Sequence, residues 1–231
     1  MASNTDSFWK SISLVFGAVS VLLLGTLLML LFQAEGREMV AGANAFEDGE
    51  QALSFALSDN EDLVMGNPDA KLVIEEYSDF QCPYCKKFFE SDAYQQIKEK
   101  YVETGKVLLV FKDFPLTNIH PYALIAAQGA SCANEEGKGF DMHDKIFSSS
   151  LSPTEENLKK WAAELGLNEA AFAECLDSGK YEQEAFDDQE EGSAKGITGT
   201  PSFLIGSQKV VGAQPFANFE KVIEEELAKV Q

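Results

Sequence analysis

A chain of 231 residues carrying 38 acidic against 18 basic side chains, for a formal net charge of −20, has no basic patch with which to neutralise phosphates, and nucleic acid is excluded as a partner. The hydrophobic share of 45% supplies a real core for one domain or two, and the acidic excess reads as a solubilising surface. Four cysteines are too few for a disulfide scaffold, so each needs its own explanation.

Residues 12–32, ISLVFGAVSVLLLGTLLMLLF, carry no charge. At the helical rise this run reaches roughly 30 Å, the thickness of a bilayer's hydrocarbon. A cleaved leader has a shorter apolar run with a small-x-small site close behind it. Here the nearest such residues, around Ala41 to Ala45, lie well beyond the run, so an uncleaved transmembrane anchor is expected. Lys10 precedes the span while Glu35, Arg37 and Glu38 follow it. A short, positively flanked N-terminus stays in the cytoplasm, which makes 1–11 cytoplasmic and puts the rest outside, in a compartment that permits disulfides. Residues 33–60 are small, acidic and weakly periodic and read as a tether, with a short helix around Gln51 to Leu57.

The folded domain is expected from about Glu61. Leu72 to Tyr77 is a short apolar run bounded by Pro68-Asp69 and Ser78-Asp79, as a buried strand is. Pro83 suits the start of a helix, and the pattern carries that helix on to about Gly105. A second strand is predicted over 106–114. From about 118 to 195 the spacing is helical throughout, and Ser152 with Glu155 has capping-box spacing. PSFLIGSQKVVGA returns to strand with a turn at Gly206-Ser207. The last helix places Phe216, Phe219, Val222, Ile223 and Leu227 on one side. Strand, helix, strand, helical block, hairpin and helix make an α/β class.

The chemistry concentrates in FQCPYC, where Cys82 and Cys85 stand three positions apart. Placed just before a helix N-terminus, Cys82 has a stabilised thiolate, and Cys85 one turn further in can attack a mixed disulfide on it. Zinc needs two more ligands. Cys132 and Cys175 are single, and His120 and His143 lie in no tight ligand motif, so no metal is expected. A purely structural disulfide closing so small a loop removes little chain entropy, which leaves the redox reading in front. In the strand before the dithiol, Ile74 and Glu76 share one face and Glu75 and Tyr77 the other. One glutamate therefore points inward, where a carboxyl group could exchange a proton with the buried cysteine, unless it is merely solvated at an edge. Thr200-Pro201 begins a strand after a glycine-flanked turn and is a candidate cis bond.

The stretches LVIEEYSDFQCPYCKKF, HPYALIAAQGASCANEEGKGFDMHDKIF and GITGTPSFLIG, in this order over about 65–231, closely resemble the DsbA-like thiol–disulfide oxidoreductases. The resemblance implies a thioredoxin-like fold with an inserted α-helical domain at about 118–195, here preceded by one N-terminal transmembrane helix. It implies that Cys82 is the nucleophile, that Cys85 resolves, that Pro201 is the cis-proline facing the dithiol, and that Glu76 is the buried acid. Thr200 then offers backbone hydrogen bonds to an extended substrate, with Pro83 and Tyr84 beside it. The implied partners are reduced exported proteins and a membrane redox partner of the DsbB or quinone-reductase-like kind. No cofactor is implied, and with no extra dimerisation segment in view a monomer is expected. The chain departs from the strongest oxidants of the family at Tyr84, where they have histidine. That opens the potential between about −120 mV for an oxidant and about −270 mV for a reductant. A reductase or isomerase of the same fold is therefore the alternative, and a non-catalytic chaperone-like module a further one. Cys132 and Cys175 are either two buried free thiols or a staple across the insertion, as some relatives have; a catalytic relay is the remote reading. Asp79 either tunes the field at the dithiol or caps the helix. Neither His120 nor His143 is assigned a catalytic role.

Overall fold

A computed structural model describes residues 62–230. The anchor expected at 12–32 and the short helix expected around 51–57 lie outside the described residues. Among the described residues no helix is long and apolar enough to cross a membrane.

The chain enters through β1 (Leu63–Gly66), which the sequence reading does not anticipate because four residues are too few to show alternation. It is held by antiparallel pairing, Leu63 opposite Phe111 and Gly66 opposite Leu108. β2 (Leu72–Ser78) and β3 (Val107–Asp113) are the near-continuous apolar strands of the centre and pair in parallel, Leu72 opposite Val107 and Ser78 opposite Asp113. Every residue of β3 is buried, as a parallel strand covered on both faces requires.

The helix expected to run unbroken from Pro83 to about Gly105 is interrupted. α1 (Pro83–Phe89) stops at Glu90, and α2 (Asp92–Ile97) starts afresh and passes into a π-helical turn at Lys98–Val102. Ser91 makes the break: its Oγ donates to the Phe88 carbonyl at 2.6 Å and accepts the Tyr94 N–H at 3.4 Å, which caps the new helix. The insertion follows β3 as α3 (Ala123–Asn134), α4 (Gly139–Ser148), α5 (Glu155–Glu164), α6 (Glu169–Ser178) and α7 (Glu182–Ala194). The cap of α5 is Thr154 rather than Ser152, with its Oγ1 accepting the Asn157 N–H at 3.3 Å. Ser152 instead offers its carbonyl to Thr154, and the shift puts Glu155 and Glu156 in the first turn, where the dipole favours them. The hairpin β4 (Ser202–Ile205) and β5 (Gln208–Val211) and the final helix α8 (Phe216–Leu227) complete a sheet of order β1-β3-β2-β4-β5.

One face of the sheet is covered by α1, α2 and α8, with Leu72, Ile74, Phe88, Tyr94, Phe203, Phe219 and Ile223 in a single cluster. On α8, Phe219 and Ile223 are fully buried, while Phe216, Val222 and Leu227 pack at the margin of the same cluster. Against Tyr77 on β2, α7 approaches so closely that a β-carbon on Gly192 would sit 2.7 Å from the ring, and only glycine fits. A second cluster joins the insertion to the loop after β2. It holds Phe80, Cys82 and Cys85 together with Ala126, Ala130, Met142, Phe147, Leu158 and Trp161, so the dithiol lies at the seam between the insertion and the sheet.

Cys132 on α3 and Cys175 on α6 are joined in a disulfide across 43 residues. A loop of that length contributes about 4 kcal/mol in the chain-entropy account. A second tie is ionic: Lys112 Nζ, at the end of β3, lies 2.6 Å from Asp62, 2.9 Å from Asp188 and 3.4 Å from Glu191. It fastens the start of the domain and α7 to the same strand.

Candidate active site

Cys82 ends the loop after β2 in an extended conformation, φ −68° and ψ 122°, and Pro83 takes the first position of α1, where its missing N–H costs nothing. Cys85 comes one turn later and is 1% exposed, against 5% for Cys82. Both thiols are unbonded. The peptide bond between Thr200 and Pro201 is cis, and the Cys82 thiol reaches the Thr200 carbonyl at 3.5 Å, so residues 118 positions apart meet over the sulfur.

The two sulfurs are electrostatically unlike. The Cys82 thiol is drawn down to about 5, first by a hydrogen bond from the Cys85 thiol, which outweighs the cost of partial burial, and then by Thr200 and the N–H groups of Cys85 and Tyr84. Burial pushes the Cys85 thiol well up, and donating to Cys82 raises it further. One proton therefore stays on Cys85 while Cys82 carries the charge.

Of the two glutamates on β2, Glu75 faces away from α1: Lys195 Nζ lies 2.8 Å from its Oε2, and the Tyr77 hydroxyl donates to it at 3.3 Å. Glu76 is the inward one, 3% exposed, on the face of Leu72 and Ile74 beneath α1. Burial pushes its carboxyl up to about 8. Ser78, next on that face and 1% exposed, was not foreseen. Tyr84 stands out beside the dithiol, 63% exposed.

Asp79 serves neither as a bare helix cap nor as a free surface charge. Its carbonyl accepts the Cys82 N–H at 2.9 Å, and its own N–H points at Cys85 Sγ at 3.5 Å. Its fully buried carboxylate accepts the Gln81 N–H at 2.7 Å and the Leu116 N–H at 2.8 Å, and lies 2.9 Å from His120 Nδ1. A second bond runs from the Tyr122 N–H to Gln81 Oε1. Sequence reasoning missed this contact of His120, and no spacing signal could have supplied it. His143 is elsewhere, buried among Phe80, Phe89, Phe111, Phe140 and Phe147 with its Nδ1 2.8 Å from Asp144, and burial holds its imidazole below the ordinary value.

Among the described residues, the carboxylates of Asp62, Glu184 and Asp188 come within 4.8 Å of one another, as ligands of a cation do. Lys112 bonds two of the three, so an ammonium group already sits where it meets part of the charge they gather.

Residues 58–225 match the family described as Thioredoxin. The fold superposes on the crystal structure of Wolbachia pipientis alpha-DsbA1 with a TM-score of 0.63 and 29% identity, over 73% of this chain and 92% of that one. Oxidised BdbD from Bacillus subtilis gives a TM-score of 0.65 at 21% identity, over 73% of this chain and 94% of that one. Among curated proteins, the Na(+)/H(+) antiporter NhaA 3 of Salinispora tropica is 29% identical over 157 residues, 68% of this chain but 23% of that protein. The chain spans about a quarter of the length of the curated relatives it matches.

Proposed function

We propose a direction and a setting for a chain that belongs to the thioredoxin family and, within it, is a DsbA-like thiol–disulfide oxidoreductase: it oxidises paired cysteines of exported proteins from a membrane tether. The observation that carries the direction is the charge held on Cys82. A dithiol whose reduced form is stabilised as a thiolate makes its disulfide a strong oxidant.

In the oxidising step a substrate thiolate attacks Cys82 of the Cys82–Cys85 disulfide. The sulfur–sulfur bond breaks, a mixed disulfide forms on Cys82, and Cys85 leaves with the electron pair and takes up a proton. Glu76, a buried carboxyl group still protonated near neutral pH, is the proposed source of that proton. A second substrate thiolate then attacks the substrate sulfur. Cys82 departs as the stabilised thiolate, and the substrate leaves with a disulfide. Thr200 and Pro201, in the turn before β4, take the extended substrate beside the dithiol, and Tyr84, 63% exposed, is free to contact it. The two thiols that result are reoxidised by a membrane partner of the DsbB or quinone-reductase-like kind.

The setting rests on the apolar run at 12–32, which anchors the catalytic domain outside the cytoplasm and keeps it near that partner. The disulfide between Cys132 and Cys175 supports an oxidising compartment. Matching segments inside proteins named as antiporters support a membrane setting, and antiport itself is not carried over from a quarter-length match. A second reading, reduction or isomerisation by the same dithiol, is favoured by Tyr84 standing where the strongest oxidants have histidine.

The test of the carrying observation is the ultraviolet thiolate absorbance of the reduced protein against pH. It is expected to rise with a midpoint near pH 5 and to lose that rise in Cys82→Ser. A midpoint near the ordinary thiol value of about 8.5 would remove the basis for the oxidising direction.

A further inference from the structure

We propose that His120 is a positioning residue for the dithiol: its ring N–H holds the buried Asp79 carboxylate and offsets the negative charge that would otherwise oppose a thiolate on Cys82. The inference rests on the reading of Cys82 as the attacking and leaving thiolate.

Asp79 brackets both sulfurs through its main chain, accepting the Cys82 N–H and pointing its own N–H at Cys85 Sγ. Its side chain branches from the residue whose main chain touches both cysteines, and that side chain is 0% exposed, so solvent and salt screen its charge little. A negative charge so placed raises the cost of forming a thiolate. The donors that meet it are the Gln81 and Leu116 N–H groups and His120 Nδ1. A carboxylate can only accept, so Nδ1 carries the proton of this contact and the ring is held with Nε2 turned away. Of these three donors only His120 is a side chain, and it is carried by the loop that follows β3. The loop that carries it is pinned beside the dithiol at two further points, Leu116 to Asp79 and Tyr122 to Gln81. The histidine thus fixes the direction of the Asp79 carboxylate and part of the field at Cys82, while touching neither sulfur.

The experiment measures the Cys82 thiolate midpoint and the equilibrium with glutathione in the full chain for four variants. His120→Ala leaves the carboxylate less compensated and is expected to raise the midpoint by about one pH unit. The disulfide becomes about tenfold less oxidising, a shift of about 30 mV to more negative potential. His120→Asn, whose amide can donate from nearly the same place as Nδ1, is expected to stay near wild type. His120→Ala with Asp79→Asn removes the charge along with its counterweight and is expected to return toward wild type. Asp79→Asn alone is expected to leave the midpoint unchanged or lower it, which keeps a test available if His120→Ala does not fold. An unchanged or lowered midpoint in His120→Ala overturns the proposal. So does a double variant worse than the single one, or a raised midpoint in Asp79→Asn, because a loop merely loosened by lost packing behaves in that way. If the wild type itself shows no low midpoint, the thiolate reading fails first, and the two failures are told apart.

Discussion

Replacing Cys82 with serine abolishes thiol oxidation, a loss of at least about 10³-fold given the accelerations of 10⁶-fold and more that enzymes commonly provide. The reason is specific to the atom: Cys82 is the sulfur that carries the stabilised charge and lies against the Thr200 carbonyl, and a hydroxyl can neither form the mixed disulfide nor leave from it. Cys85→Ser is expected to fail differently. Cys82 still exchanges with a substrate disulfide, but nothing resolves the product, so covalent adducts accumulate and are released by added thiol. A time course of disulfide formation in a reduced two-cysteine peptide checks the first, and incubation of Cys85→Ser with the disulfide form of that peptide, followed by non-reducing electrophoresis for the adducts, checks the second. A binding module would keep its client interactions in Cys82→Ser and would show no difference between the two variants.

Glu76→Gln stabilises the protein at alkaline pH and has little effect in acid. In the unfolded chain this carboxyl loses its proton near the ordinary 4.5, whereas burial holds it on in the folded state until about 8. Between these values the folded form binds the extra proton, so stability is full below about pH 4.5 and is lost as pH rises toward 8. At about 1.4 kcal/mol for each pH unit of separation, the loss is roughly 5 kcal/mol by pH 9. Glutamine has nearly the same shape and never ionises, so urea unfolding of the variant is expected to show a gain of that order at pH 9 and almost none at pH 4. Equal effects at both pH values would place Glu76 in a solvated site. If Glu76 supplies the proton that Cys85 takes up, as proposed, the same variant is expected to oxidise peptide thiols more slowly.

How much of this was legible beforehand depended on distance along the chain. The dithiol, the helix behind it and the Thr200-Pro201 turn could be read because their signals are local: a cysteine pair, a proline at a helix start, a proline at a strand start. Strand alternation alone narrowed the buried acid to Glu75 or Glu76, the family resemblance pointed to Glu76, and the physical reason for the choice lies in Lys195, a residue 120 positions away that meets Glu75 on the opposite face. The helix break at Ser91 was written in Ser-Asp but lay inside a pattern that continued apolar on both sides. β1 was too short to have a period at all. The Asp79–His120 contact joins residues 41 apart, and no helix or strand period connects them. It exists because β3 and the loop after it return to the dithiol, which only the assembled sheet shows.

The most direct measurement is the reduction potential of the Cys82–Cys85 couple, set by equilibration against glutathione with Cys132 and Cys175 replaced by alanine. A stabilised Cys82 thiolate beside a protonated Cys85 predicts a value of about −120 to −180 mV, that of a disulfide ready to be given away. A value of about −250 mV or below would contradict an oxidising role and make the protein a reductase supplied with electrons from the membrane.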